Sequence, residues 1–328
     1  MTENIIEELT RKIGCLISKI EKRNLIMQNM SDWDKCCAAI DVIEDAQCAI
    51  DYYKTTDYPN NYKGKYLFTY GLLQALFMQQ DALLSLSSVL YTKFDFRNDY
   101  PEIYEIREIR NDTVGHPTNR KDKKCIHLGQ CFLEKDTFRY IIYPNAESVE
   151  VDVQNLLIKQ EEFAIEILNK ILNKLQKEID NFFKQFEGKN MKEIFNMLTY
   201  ITGKSYAEEH NYIFKDKEDL GFKIIRDMLN KIQTALNERY CDWKENENWQ
   251  YEITECEELY KFLTEQIDTI NKEKEFIKKH LLSNLLNQLK HLELMAEETD
   301  EYFTSYGETR NIPAEENQLM PTIIIDNI

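Results

Sequence analysis

At 328 residues, with 43% hydrophobic and 30% charged side chains but only 9 Gly and 6 Pro, the chain can bury a substantial core and is too poor in turn formers for a β-rich architecture. Its formal net charge of −17 excludes a general nucleic-acid coating role, because an acidic surface repels a polyanion at long range. The acidity is uneven: residues 1–120 hold 14 Lys+Arg against 18 Asp+Glu, a net of −4, whereas residues 121–328 hold 27 against 40, a net of −13.

The eight cysteines, at 15, 36, 37, 48, 125, 131, 241 and 256, form no CxxC pair and have no clustered histidines, so no metal and no cofactor are expected. The start, MTENIIEELTRKIGC, lacks the basic and apolar regions of a signal peptide, and no run of about 18 apolar residues occurs. These features predict a soluble, cytoplasmic protein without a membrane partner.

In chain order, Ile6, Leu9, Ile13, Leu16 or Ile17, and Ile20 make one stripe of a helix over 3–28. Ser31 and Asp34 then read as the start of a second helix to about Lys54, with Trp33, Cys37, Ile40 and Ile43 inward. Residues 55–65 are turn formers. Residues 66–91, YLFTYGLLQALFMQQDALLSLSSVLY, are the most apolar helix and the predicted centre of the bundle, with Gln79, Gln80 and Asp81 as a polar island of which one member is expected to line a cleft.

Pro101 suits the start of the next helix. Ile103, Ile106, Arg110 and Thr113 fall at steps of three and four, placing Arg110 on the inward stripe, and Gly115 followed by Pro117 predicts a left-handed cap that stops the helix near Val114. Residues 124–143 break the helical pattern and predict a β-hairpin of CIHLGQCF and FRYIIY about a turn at 134–137. A long helix over 152–187 carries Ala164, Leu168, Ile171, Leu175, Ile179, Phe182 and Phe186, and its expected partner is a helix over about 258–298. Shorter helices are placed at 190–202 and 217–240. The fold class is therefore mostly α: a helical domain over 1–188 with its hairpin at 124–143, a C-terminal domain of long antiparallel helices over 189–310, and a flexible or strand-adding tail over 311–328.

The stretch IRNDTVGHPT, residues 109–118, is where chemistry concentrates. Six residues on a helix turn through about 600°, which separates Arg110 from His116 unless the helix ends between them. An always-charged guanidinium can grip a phosphate and stabilise growing negative charge, and an imidazole can move a proton. RNA supplies its own nucleophile in the 2′-hydroxyl, so such a pair could cleave it without a metal. Taken alone, an Arg and a His six apart also fit an ordinary helix end decorated with cations. Gly203-Lys204-Ser205 has only the end of a phosphate-binding loop, with Leu198 where its first glycine belongs; His280 and His291 lie too far apart on a helix to share a metal. His127 in the hairpin could approach the cleft, although a histidine so placed is more often structural.

The string from Arg110 to His116 resembles the Arg, polar residue, four to six residues, His signature of the HEPN superfamily of helical ribonucleases and nucleotide-binding proteins. GLLQALFMQQDALLSL before it and the hairpin after it are also similar to uncharacterised bacterial HEPN proteins, the resemblance covering about residues 1–185. It implies a homodimer whose two Arg/His sets face one another in one cleft and cut RNA without metal, as a toxin or phage-defence effector, with a partner protein or antitoxin among its contacts. It further implies that Arg110 and His116 are catalytic and that Asn111 orients His116 or the scissile phosphate. Asp112, Thr113, Gln80, Arg107 and Arg120 are expected to contact the substrate. Thr118 stands where nucleotidyltransferase-paired HEPN toxins carry a tyrosine, so regulation by its modification is not expected, and Glu105, Glu108 and Asp112 dilute the local positive field. A second reading, from another class, is a non-catalytic HEPN module that docks a partner protein or senses a nucleotide.

Overall fold

The computed structural model describes residues 5–18, 30–90, 93–118, 125–206, 214, 219–240, 244, 247–266 and 275–308. The fold is mostly α with one small antiparallel sheet. It divides into two compact units, Met1–Glu178 and Ile179–Ile328, the division falling inside a long helix rather than at the expected 188.

In the first unit, α1 (Ile5–Ser18) buries Ile6, Leu9, Ile13 and Ile17, so Ile17 and not Leu16 completes the stripe; Ile20 lies outside the described residues. Helix α2 (Met30–Thr55) already contains Ser31, and it buries Cys36, Ala39, Ile43, Ala46, Gln47, Ile50 and Tyr53. The expected stripe through Trp33, Cys37 and Ile40 is thus displaced by one residue, those three being only half-buried. Lys135, in the bend at 135–136, donates to the Lys54 and Thr56 carbonyls at 3.0 and 2.9 Å, satisfying acceptors at and just past the end of α2.

Helix α3 (Tyr62–Val89) is the central helix. It begins four residues earlier than its hydrophobicity suggests because the Asn61 side chain accepts from the Gly64 amide at 2.8 Å, an N-cap. Leu73, Leu76, Leu83 and Leu86 have no solvent exposure, each contributing about 1.5–3 kcal/mol by burial. A four-residue turn, α4 (Phe96–Asp99), leads into α5 (Pro101–Arg110), and Phe94, Phe96, Tyr100 and Phe163 pack ring against ring.

The sheet has three strands, β1 (Cys125–Leu128), β2 (Thr137–Tyr143) and β3 (Glu147–Asp152), in the order β1-β2-β3. Leu128 pairs with Tyr140 across the first ladder and Val151 with Phe138 across the second. Ile126, Leu128, Phe138, Tyr140 and Val151 are buried on one face. The expected hairpin is thus correct in place but one strand short: SVEV alternates as a strand should, and it runs straight into the next helix without a separating turn.

Helix α6 (Val153–Lys184) follows, with the expected stripe down to Ile179 and then Phe183 buried rather than Phe182. The second unit holds α7 (Leu198–Tyr206), α8 (Leu220–Arg239), α9 (Glu247–Gln266) and α10 (Glu275–Glu308). The single helix expected over 258–298 is therefore two, with 267–274 outside the described residues. The core of this unit includes Phe195, Ile225, Ile232, Trp249, Ile253, Leu285 and Leu289. Its one deeply buried cation, among the described residues, is Arg239, 3% exposed, which donates to the Lys189 carbonyl, lies 3.7 Å from Asp300 and sits against the Phe186 and Phe303 rings. The expected tail at 311–328 lies outside the described residues.

Candidate functional site

The end of α5 departs from the expected cap. After Arg110 the backbone widens into a single π-helical turn, Asn111–Gly115, closed by the His116 amide donating to the Asn111 carbonyl at 2.8 Å. Among the described residues only Gly188 is a glycine with positive φ, so Gly115 is not a left-handed cap. The need for glycine is steric instead: a Cβ here would lie 2.8 Å from Arg110 Nη1, 3.4 Å from Asn111 Oδ1 and 3.6 Å from Arg110 Cζ. The guanidinium therefore packs close over Gly115, the residue before the exposed His116. Arg110 is half-exposed; Ile109 takes the buried place on the stripe with Ile103 and Ile106.

Three groups hold that guanidinium. Its Nε and Nη2 donate to Gln74 Oε1 at 3.2 and 2.8 Å, its Nη1 donates to Asn111 Oδ1 at 3.1 Å, and its plane lies 4.2 Å from the Phe77 ring centroid. Asn111 is oriented in turn by its amide, which donates to Glu108 at 3.5 Å. A guanidinium has five N–H groups. Two are left over, and among the described residues Arg110 has no carboxylate partner. Asn111 thus has two roles: its side chain serves Arg110, and its main-chain carbonyl, not its side chain, holds His116.

Arg107, one turn back, is neutralised. Its Nη2 donates to Asp81 at 2.7 Å, and the Phe77 and Phe96 rings flank it at 4.2 and 4.6 Å. Its Nη1 reaches Gln80 Oε1 at 3.4 Å. From there a hydrogen-bond chain crosses the core: Gln80 Nε2 donates to Gln160, Gln160 to Gln79 and Gln79 to Gln47, each at 2.8 Å, and Gln47 donates to Asp51 at 2.9 Å. The polar island is accordingly satisfied inside the bundle. Gln79 and Gln80 have no solvent exposure, which corrects the expectation that Gln80 contacts substrate; Asp81 is the exposed member.

Thr113 is also corrected: it is 3% exposed and its hydroxyl donates to the Ile109 carbonyl at 2.8 Å. Asp112 is half-buried and already engaged. Arg120 and His210 lie outside the described residues. His127 is exposed on β1. Gly203 and Lys204 lie within α7, so no phosphate-binding loop forms there. Among the described residues no cluster of His, Cys, Asp or Glu could hold a metal ion, and no helix is long and apolar enough to cross a membrane. Gln74 and Phe77, which hold Arg110, were not legible as functional: Gln74 is a lone polar residue in an apolar run, and that was its only signal.

No protein family, curated protein or solved structure matches this chain. The site is a held guanidinium with no described carboxylate bonded to it, packed over the residue before an exposed histidine, and these two groups suit a phosphate oxyanion and a proton.

Proposed function

We propose that the protein is a metal-independent endoribonuclease of HEPN type, cytoplasmic and acting as a homodimer, in the manner of a toxin or phage-defence effector. Arg110 binds the scissile phosphate through its two remaining N–H groups and stabilises the charge that builds on its oxygens. The imidazole of His116 takes the proton of the ribose 2′-hydroxyl as that oxygen attacks phosphorus. The P–O5′ bond breaks, leaving a 2′,3′-cyclic phosphate, and the 5′-oxygen receives a proton from the facing His116 of the second copy. The observation that carries this reading is the Arg110 guanidinium, fixed by Gln74 and Asn111 against Gly115 yet unpaired with any described carboxylate.

The test incubates purified protein with RNA in EDTA, comparing wild type, Arg110→Ala and His116→Ala, with mass measured in solution. Cleavage to cyclic-phosphate ends that both substitutions abolish, in variants that remain folded dimers, is the expected result. Full activity of either variant, or cleavage that EDTA stops, refutes it. A folded dimer with no cleavage of any RNA, but with partner binding that is lost when residues 179–328 are removed, would instead establish the non-catalytic module.

A further inference from the structure

The outward face of α3 runs alongside Arg110 and has no part in the core. Residues four apart on a helix share a face, separated by one turn of about 5.4 Å. Tyr70, Gln74 and Met78 are such a row. Tyr70 is 37% exposed and Met78 40% exposed, while Gly71 between them has nothing within 4 Å of where a Cβ would stand. Tyr70 is not loose: its ring lies 5.7 Å from that of Tyr66, whose hydroxyl donates to the Leu128 carbonyl of β1 at 3.3 Å.

Gln74 is asymmetric in its use. Its oxygen accepts two bonds from Arg110, whereas its amide nitrogen has no partner among the described residues. The Gln74 amide and the two N–H groups that Arg110 keeps are thus uncommitted donors on two side chains already bonded to one another. The nearby Glu108 carboxylate accepts from Asn111 and not from Arg110, so these donors remain for an oxyanion, and an aromatic residue stands one helical turn from Gln74. A single-stranded nucleotide has this pattern, a phosphate with a flat base beside it, and base–aromatic stacking tolerates any base.

We propose that this face of α3 is a single-stranded RNA subsite, in which Gln74 orients Arg110 and shares the phosphate with it, and Tyr70 stacks the adjoining base. The proposal deepens the ribonuclease reading and rests on it for the identity of the polymer. Gln74 is a positioning residue that also touches the phosphate; Tyr70 is a binding residue with no part in proton transfer.

The experiment uses the full chain and a fluorescein-labelled 2′-O-methyl RNA oligonucleotide, which cannot be cut because it lacks the 2′-hydroxyl. Anisotropy titrations of wild type, Tyr70→Ala, Tyr70→Trp and Gln74→Glu measure binding, while cleavage of the matching RNA measures KM and kcat. Tyr70→Ala is expected to weaken binding and raise KM by on the order of tenfold, the loss of one stacked base, with kcat little changed; Tyr70→Trp restores both. Gln74→Glu places a carboxylate against Arg110, so binding and kcat both fall. Wild-type binding by Tyr70→Ala or Gln74→Glu overturns the subsite, as does failure of Tyr70→Trp to restore binding. Conversion of a dimer to a monomer by Tyr70→Ala also overturns it, because the face is then a contact between copies. The ribonuclease reading is judged separately: if Arg110→Ala and His116→Ala abolish cleavage while Tyr70→Ala binds normally, that reading stands and the subsite falls.

Discussion

Gly115→Ala separates the stability of the bundle from the alignment of its site. Alanine suits a helical backbone better than glycine by about 0.5–1 kcal/mol, and Gly115 does not use the left-handed conformations that only glycine tolerates well. The added methyl would nonetheless stand 2.8 Å from Arg110 Nη1, where ordinary contacts begin at 3.4 Å. The guanidinium must therefore retreat by about 0.6 Å or more, and being the end of a flexible side chain it can do so cheaply. Retreat strains its bonds to Gln74 and Asn111 and misdirects the two N–H groups proposed to hold the phosphate; a misplacement approaching 1 Å costs roughly 10²-fold in rate. The expected result is a thermal midpoint equal to or above wild type together with a large fall in kcat for RNA cleavage. Because both substitutions disable the same group, Arg110→Ala with Gly115→Ala should be no worse than Arg110→Ala alone. Wild-type kcat in Gly115→Ala, or a fall in kcat that only tracks loss of folded protein, would refute the account.

The glutamine chain and the thiols provide two further checks. Gln160→Leu removes the middle of the chain, leaving the Gln79 oxygen and the Gln80 nitrogen buried without partners; chemical denaturation should show a loss of roughly 2–4 kcal/mol, about 1–3 kcal/mol for each stranded group less the gain from an apolar side chain. A cost below about 1 kcal/mol would mean the chain does not hold the helices. Burial pushes the Cys36 and Cys256 thiols up to about 12, so at pH 8 only about one in 10⁴ is thiolate, the form that reacts. Iodoacetamide at pH 8, followed by peptide mapping, should label the exposed Cys15, Cys48, Cys125 and Cys131 and spare Cys36 and Cys256 until the protein is denatured; labelling of either buried thiol in the native state contradicts their placement.

Helix content and order were legible because apolar spacing reports which face is buried, and long helices repeat that signal many times. Single-residue phase was not. In α2 the stripe runs through Cys36 and Ala39 rather than Cys37 and Ile40, since small residues allow the close approach of a neighbouring helix as well as large ones fill a gap. The third strand was hidden because SVEV is short and abuts α6 directly. Arg110 and His116 could be singled out by residue type, but the turn between them could not: a glycine before His-Pro reads as a left-handed cap, whereas its real constraint is a guanidinium from five residues back. Gln80 illustrates the opposite limit. A polar residue on an apolar helix signals a partner, and sequence alone does not say whether that partner is a ligand or another buried glutamine.

The hydrogen-bond chain through the first unit has a direction. At one end a guanidinium can only donate, and at the other the carboxylate of Asp51 accepts, so each of the four amides between them has one permitted orientation. No single glutamine can flip without leaving two like atoms face to face. The bundle therefore carries a one-way thread from α2, through α3 and α6, to Arg107, whose guanidinium shares the Phe77 ring with Arg110. The position of the ring under Arg110 is in this way registered against a carboxylate on the second helix of the bundle.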